Sequence, residues 1–189
     1  MASSTPSFYQ VADLLKTEDE DSHRQACRML DGLLDGQVQD RSSMFCGQFP
    51  WAPDRQVTDL NVALFRLPVL IDIIEHRGRD LPSELENKLD GAIRLALVGA
   101  ERRWDEEIFD LHRDFKGYTN IFLLYILAHL LGGRYCEDER LTRCGVSEWR
   151  RWYSHIAYYG IDEFICGYFN TIDFDALQRI HGAAPNDRM

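Results

Sequence analysis

Apolar residues recur at helical spacing along most of this chain, and in two stretches they occupy nearly every face. The first runs from Leu60 to Ile74, interrupted only by Asn61, Arg66 and Asp72, and the second from Ile121 to Leu131 without a charged residue. A helix that is apolar all round is buried all round. The pattern therefore predicts an all-α fold with two buried central helices, Val57 to His76 and Ile121 to Leu131, around which the others wrap. Thr58 or Asp59 is expected to cap the first, and Pro68 to kink it. Thr119 or Asn120 is expected to cap the second, and Gly132 to stop it.

The other predicted helices are one-sided. Phe8 to Leu15 carries one apolar face, and a second helix opens on the acidic stretch Glu18 to Asp21 and stops at Gly36, forming a hairpin with the first. DLPSEL signals the start of an amphipathic helix that runs to Trp104. A further helix is expected from Glu137 or Ser147 to Tyr159, ended by Gly160, and a last one from Phe174 to Ile180, capped by Asp173. That makes six or seven helices, arranged as a compact bundle or as part of an α/α toroid. They are read as a single domain over residues 1–182, with 183–189 a frayed tail. Two segments break the periodicity. IDEFICGYFNTID is expected to be extended or irregular. Residues 37–59 place Phe45, Phe49 and Trp51 among prolines and polar residues, the pattern of an ordered loop over a pocket.

Charge and cysteine usage narrow the function. The 189 residues include 21 Lys and Arg against 31 Asp and Glu, a net charge of −10, which repels phosphate backbones and anionic lipid surfaces. Neither nucleic acid nor a membrane is expected as a partner. The N-terminus lacks a basic segment followed by an apolar one, and no run is long enough to span a bilayer, so a soluble cytoplasmic protein is expected. The five cysteines are widely spaced, with no C-x-x-C pair, and read as free thiols. No Walker loop, dinucleotide fingerprint, nucleophile elbow or zinc spacing occurs, so no cofactor and no metal are expected.

What remains is a set of polar and aromatic residues near helix ends and in loops: Asn61, His112, Arg113, Tyr118, Asn120, Glu163, Tyr168 and Asn170, with Phe49 and Trp51. They are expected to rim a pocket where the N-terminal ends of the two central helices meet the Phe45 to Trp51 loop and the Phe164 to Asn170 segment. Free N–H groups at helix starts attract anionic oxygen atoms.

GYTNIFLL, followed by GIDEF and then NTIDFDAL, resembles a pattern in helical-toroid proteins related to the alginate lyase and heparinase type of polysaccharide lyase. The likeness spans Tyr118 to Leu177, with a fainter echo in DLNVALF at Asp59 to Phe65. Cys166-Gly167-Tyr168-Phe169-Asn170 stands where those relatives carry Ser-Pro-Thr-Tyr-Tyr, and a full toroid has about twice as many helices. The resemblance implies β-elimination on a uronate, which needs a base, an acid and neutralisation of the enolate charge. Tyr118 or His112 would be base and acid, Asn120, Asn61 and Arg113 would neutralise the carboxylate, and Trp51 would stack on a sugar ring. Two other readings stand beside it, a cyclase or isomerase of a small apolar metabolite and a non-catalytic helical interaction module. Half a toroid would leave apolar faces uncovered, so a two-fold homodimer is expected.

Overall fold

The computed structural model describes residues 6–103, 119–160 and 169–183. All of the regular structure in these residues is helical, as the sequence predicts. No helix among them is long and apolar enough to cross a membrane. The chain divides into two compact units, Met1–Arg102 and Arg103–Met189.

The first unit begins with α1 (Phe8–Leu15) and α2 (Glu20–Leu34). Ser7 and Gln10 start α1 by bonding each other's backbone N–H, at 3.3 and 3.0 Å. Asp19 starts α2 by accepting from Ser22 N–H at 2.8 Å. These exchanges satisfy donors that the first turn of a helix leaves without partners. Helix α3 spans Val62–Arg77 and α4 spans Ser83–Arg103, with a 3₁₀ turn at Gly78–Asp80 between them. Helix α1 packs on both α2 and α3. Lys88 of α4 reaches across to α2, where it bonds Asp31 and, at 2.7 Å, Asp35. Burial pulls the Lys88 pKa down, but the bonds to Asp31 and Asp35 outweigh it and leave the group above its ordinary value.

Helix α3 starts five residues later than the apolar pattern predicts. Asp59 is the reason: one of its carboxylate oxygens accepts from Asn61 N–H at 2.8 Å and the other from the Trp51 indole at 2.9 Å, which holds residues 59–61 in a turn. Neither Thr58 nor Asp59 caps the helix. Ala63 N–H in its first turn is instead met at 2.8 Å by the side chain of Gln48, fifteen residues earlier in sequence.

Gln48 is fully buried, and its amide also donates to Gly99 O of α4 at 3.2 Å. Gln37, 4% exposed, donates from one nitrogen to Gly47 O at 3.1 Å and to Ala92 O of α4 at 2.9 Å. Arg102 donates to the carbonyls of Ser43 and Arg41 at 2.7 and 2.8 Å. The loop of residues 37–49 therefore ties α4 to the rest of its unit through hydrogen bonds to backbone. A buried amide shared between two backbone groups leaves both without partners when it is removed. Gln48→Leu is accordingly expected to destabilise the first unit by about 2–3 kcal/mol. Gln48→Glu keeps the acceptor for Ala63 but loses the donor for Gly99 and buries a carboxylate, and should cost at least as much. Urea unfolding followed by circular dichroism would measure both, and equal midpoints for the wild type and Gln48→Leu would refute the role given to Gln48.

In the second unit α5 (Thr119–Tyr135) is buried along almost its whole length and packs against α6 (Glu139–Tyr159) and α7 (Phe174–Ala183). Thr119 and Asn120 lie inside the helix, not before it, and Gly132 does not stop it. The double glycine has a different use. A Cβ at Gly133 would collide with Thr142 Oγ1 and stand 2.7 Å from Thr142 N, so the missing side chain lets α5 and α6 approach closely. The chain turns two residues after α5, where Glu137 takes φ 53°, and Asp138 starts α6 by accepting from Arg140 N–H at 2.8 Å. Gly160, at φ 81°, follows the end of α6 as expected. Phe169–Asp173 forms a single π-helical turn leading into α7, where the sequence suggests an irregular segment.

Candidate functional site

The first unit holds a cavity of about 260 Å³ between the start of α1, the end of α2, the loop at Phe49–Pro53 and Arg66 of α3. Three aromatic residues shape it. Phe49 is 1% exposed and meets the Phe8 ring edge-on at 5.4 Å. Trp51 is 46% exposed, with its indole N–H fixed on Asp59 and its ring against Phe65 at 5.2 Å. The one-sided pattern of α1 places Phe8 on the cavity side. The prolines at 50 and 53 fix the backbone on either side of Trp51.

Among the described residues, Arg66 is the only cation in the cavity wall. Its guanidinium carbon lies 5.8 Å from the Phe8 ring centre and 5.7 Å from that of Trp51, within reach of the electron-rich ring faces. Its guanidinium donates from Nη2 to Trp51 O at 3.2 Å. Nε is buried without a partner, and among the described residues the side chain makes no ion pair. Burial pushes the Arg66 pKa down from its ordinary value, opposed by the nearby Tyr9. Even so, a guanidinium stays protonated in a protein. The wall thus carries a fixed positive charge, partly desolvated and with most of its donors uncommitted. Asp35 also lines the cavity, but its carboxylate is engaged by Lys88.

A wider, open groove of about 660 Å³ runs past Gln39, Lys88, Arg94 and Val98. There Lys88 is ion-paired with Asp31 and Asp35, and Arg94 with Asp90 at 2.9 Å. Its two helical cations are therefore already compensated, while the loop cation Arg41, also in its wall, is solvent-exposed. Arg66 differs from both.

Of the residues picked out in the sequence, Phe49 and Trp51 line the cavity. Asn61 sits half-buried at the start of α3 and lies outside the cavity wall. The N-terminal end of α3 offers little to a ligand, because Ala63 N–H is held by Gln48 and Leu64 N–H by Asn61 O at 3.0 Å. Asn120 is 7% exposed in the first turn of α5, in the second unit. His112, Arg113, Tyr118, Glu163 and Tyr168 lie outside the described residues, as does the side chain of Asn170. Among the described residues no group of three or more His, Cys, Asp or Glu is placed to hold a metal ion.

Arg66 is the residue that the sequence-based selection passes over. The signal for it is the one cation within the largely apolar run from Leu60 to Ile74, a position where a charge must find a partner or face an opening.

Comparison with protein-family models, with curated proteins and with solved structures finds no match for this chain.

Proposed function

We propose that the chain binds a small uronate-type ligand in the Trp51–Arg66 cavity of its first unit; the lyase-like activity is what the resemblance implies for residues of the second unit. The observation that carries this reading is Arg66: a partly buried cation, without an ion pair among the described residues, within reach of two aromatic rings in the wall of an open cavity. A guanidinium binds a carboxylate through paired N–H donors, and a flat indole face suits a sugar ring. An apolar metabolite would leave the charge without compensation, at a cost in desolvation, which weighs against the cyclase or isomerase reading.

Titration calorimetry with D-glucuronate and, as the neutral counterpart, D-glucose tests the binding half of the proposal. Glucuronate should bind and glucose should not, and equal affinity for the two, or none for either, would overturn it. Elimination is implied by the resemblance alone, through Tyr118 or His112 as base and acid and Asn120, which belong to the second unit, so it is tested apart from binding at Trp51–Arg66. Turnover of uronate oligosaccharides is followed by the ultraviolet absorbance of the unsaturated product. Tyr118→Phe and Asn120→Ala are expected to abolish it while helicity is kept, and full activity in both variants would remove these residues from the mechanism.

A further inference from the structure

A tryptophan in an exposed loop turns about two side-chain bonds, so its ring offers a ligand a ready surface only where something fixes it. Trp51 is exposed, and three contacts hold it. Its ring meets Phe65, its carbonyl oxygen accepts from Arg66 Nη2, and its indole N–H donates to Asp59 Oδ2 at 2.9 Å. A ring contact tolerates many orientations, and the carbonyl bond holds the loop backbone, not the side chain. Of the three, the indole bond is the one that sets where the ring points. Its acceptor is anchored in turn, because Asp59 Oδ1 takes the Asn61 N–H at 2.8 Å just before α3. Asp59 does not line the cavity, so any effect it has on a ligand there passes through Trp51.

We infer that Asp59 is the positioning residue of the site: one carboxylate oxygen is anchored at the start of α3 while the other holds the Trp51 indole in the cavity wall beside Arg66. This inference rests on the reading of the Trp51–Arg66 cavity as a uronate site and adds to it the residue that orders the stacking surface before a ligand arrives. An N–H bond to a carboxylate is charge-assisted and stronger than one to a neutral acceptor. A ring already held spares the ligand the cost of immobilising it, which is worth about three- to tenfold in affinity. The turn that delays α3 and the ring that lines the cavity are thus two uses of one carboxylate.

The two uses can be separated. Asp59→Asn has one acceptor oxygen instead of two, and asparagine spends it readily on the backbone N–H two residues on, so the turn is kept and the indole released. Asp59→Ser makes the same turn more weakly with a hydroxyl too short to reach Trp51, and it takes the place of the first variant if that one does not fold. In the full chain titrated with D-glucuronate, either variant should bind about three- to tenfold more weakly than the wild type and unfold close to the wild-type temperature. In a Trp51→Phe background, which has no indole N–H to hold, Asp59→Asn should cost no further affinity. Tryptophan emission reads the ring without a ligand: it should differ between wild type and Asp59→Asn, and not between Trp51→Phe and the double variant, where the other tryptophans are the same. Wild-type affinity in a folded Asp59→Asn variant, or an equal loss with and without the Trp51 indole, would overturn the positioning role and leave the uronate site standing. A wild-type protein that binds no glucuronate would overturn the site and the role together.

Discussion

Gly47→Ala should destabilise the first unit by about 3 kcal/mol or more, lowering its unfolding temperature by on the order of 10 °C. Two costs add at this position. Gly47 has φ 81°, a left-handed conformation that disfavours any residue with a Cβ by about 1–2 kcal/mol. The added methyl would also collide with the Leu95 carbonyl oxygen and stand 3.0 Å from Gly99 N. Backbone cannot move aside as a flexible side chain does, so the loop must lift from α4. Lifting it strains the bonds from Gln37 and Gln48 on either side. Scanning calorimetry would read the effect, and Gly32→Ala, where the same change meets open space, is the internal reference. A Gly47→Ala transition at the wild-type temperature would show that the loop is not held as closely as described.

Replacing Arg66 should separate binding from stability. In Arg66→Leu the cation is lost while an apolar side chain still lies between Phe8 and Trp51. Removing a charge-assisted bond to a ligand carboxylate costs about 1.5–3 kcal/mol, so uronate affinity should fall by about 10- to 100-fold. Folding stability should hold or rise, because the native guanidinium is partly desolvated and is not ion-paired among the described residues. Arg66→Lys retains the charge but not the flat group that fits between two rings, and should recover only part of the binding. Paired measurements decide the matter, calorimetric titration for affinity and thermal unfolding for stability. A large loss of stability in Arg66→Leu would make Arg66 a structural clamp between α1, α3 and the loop, and the case for a ligand would fail.

The helices were legible in the sequence because each has either a complete apolar face or no polar face at all. Phe8 to Leu15 is placed residue for residue, and α2 and α6 end where Gly36 and Gly160 suggest. What pattern cannot show is which distant atom will meet a helix end. The start of α3 depends on Gln48 and on a turn at Asp59, and nothing in the periodicity of residues 57–62 announces either. The double glycine after Leu131 misled for a related reason. Glycine stops a helix or lets two helices touch, and only the position of Thr142 decides between them. The cavity was half legible. Aromatic residues in a proline-bounded loop pointed to Phe49 and Trp51, whereas Arg66 was concealed by the apolar helix that carries it.

The division of labour along the loop also sets where this chain can change length. From Gln37 to Gln48 the spacing is fixed at both ends: Gln37 must reach the Gly47 carbonyl and Ala92, and Gln48 must span from Ala63 to Gly99. One residue gained or lost there would shift every one of these partners out of register. Between Pro53 and Thr58 the side chains are mostly solvent-exposed, and one backbone bond, Arg55 N–H to Ala52 O at 3.0 Å, marks the turn. Insertions and deletions should therefore accumulate on the Pro53 to Thr58 side of Trp51 and be excluded from the other, so that the rim of the cavity can lengthen while its floor stays fixed.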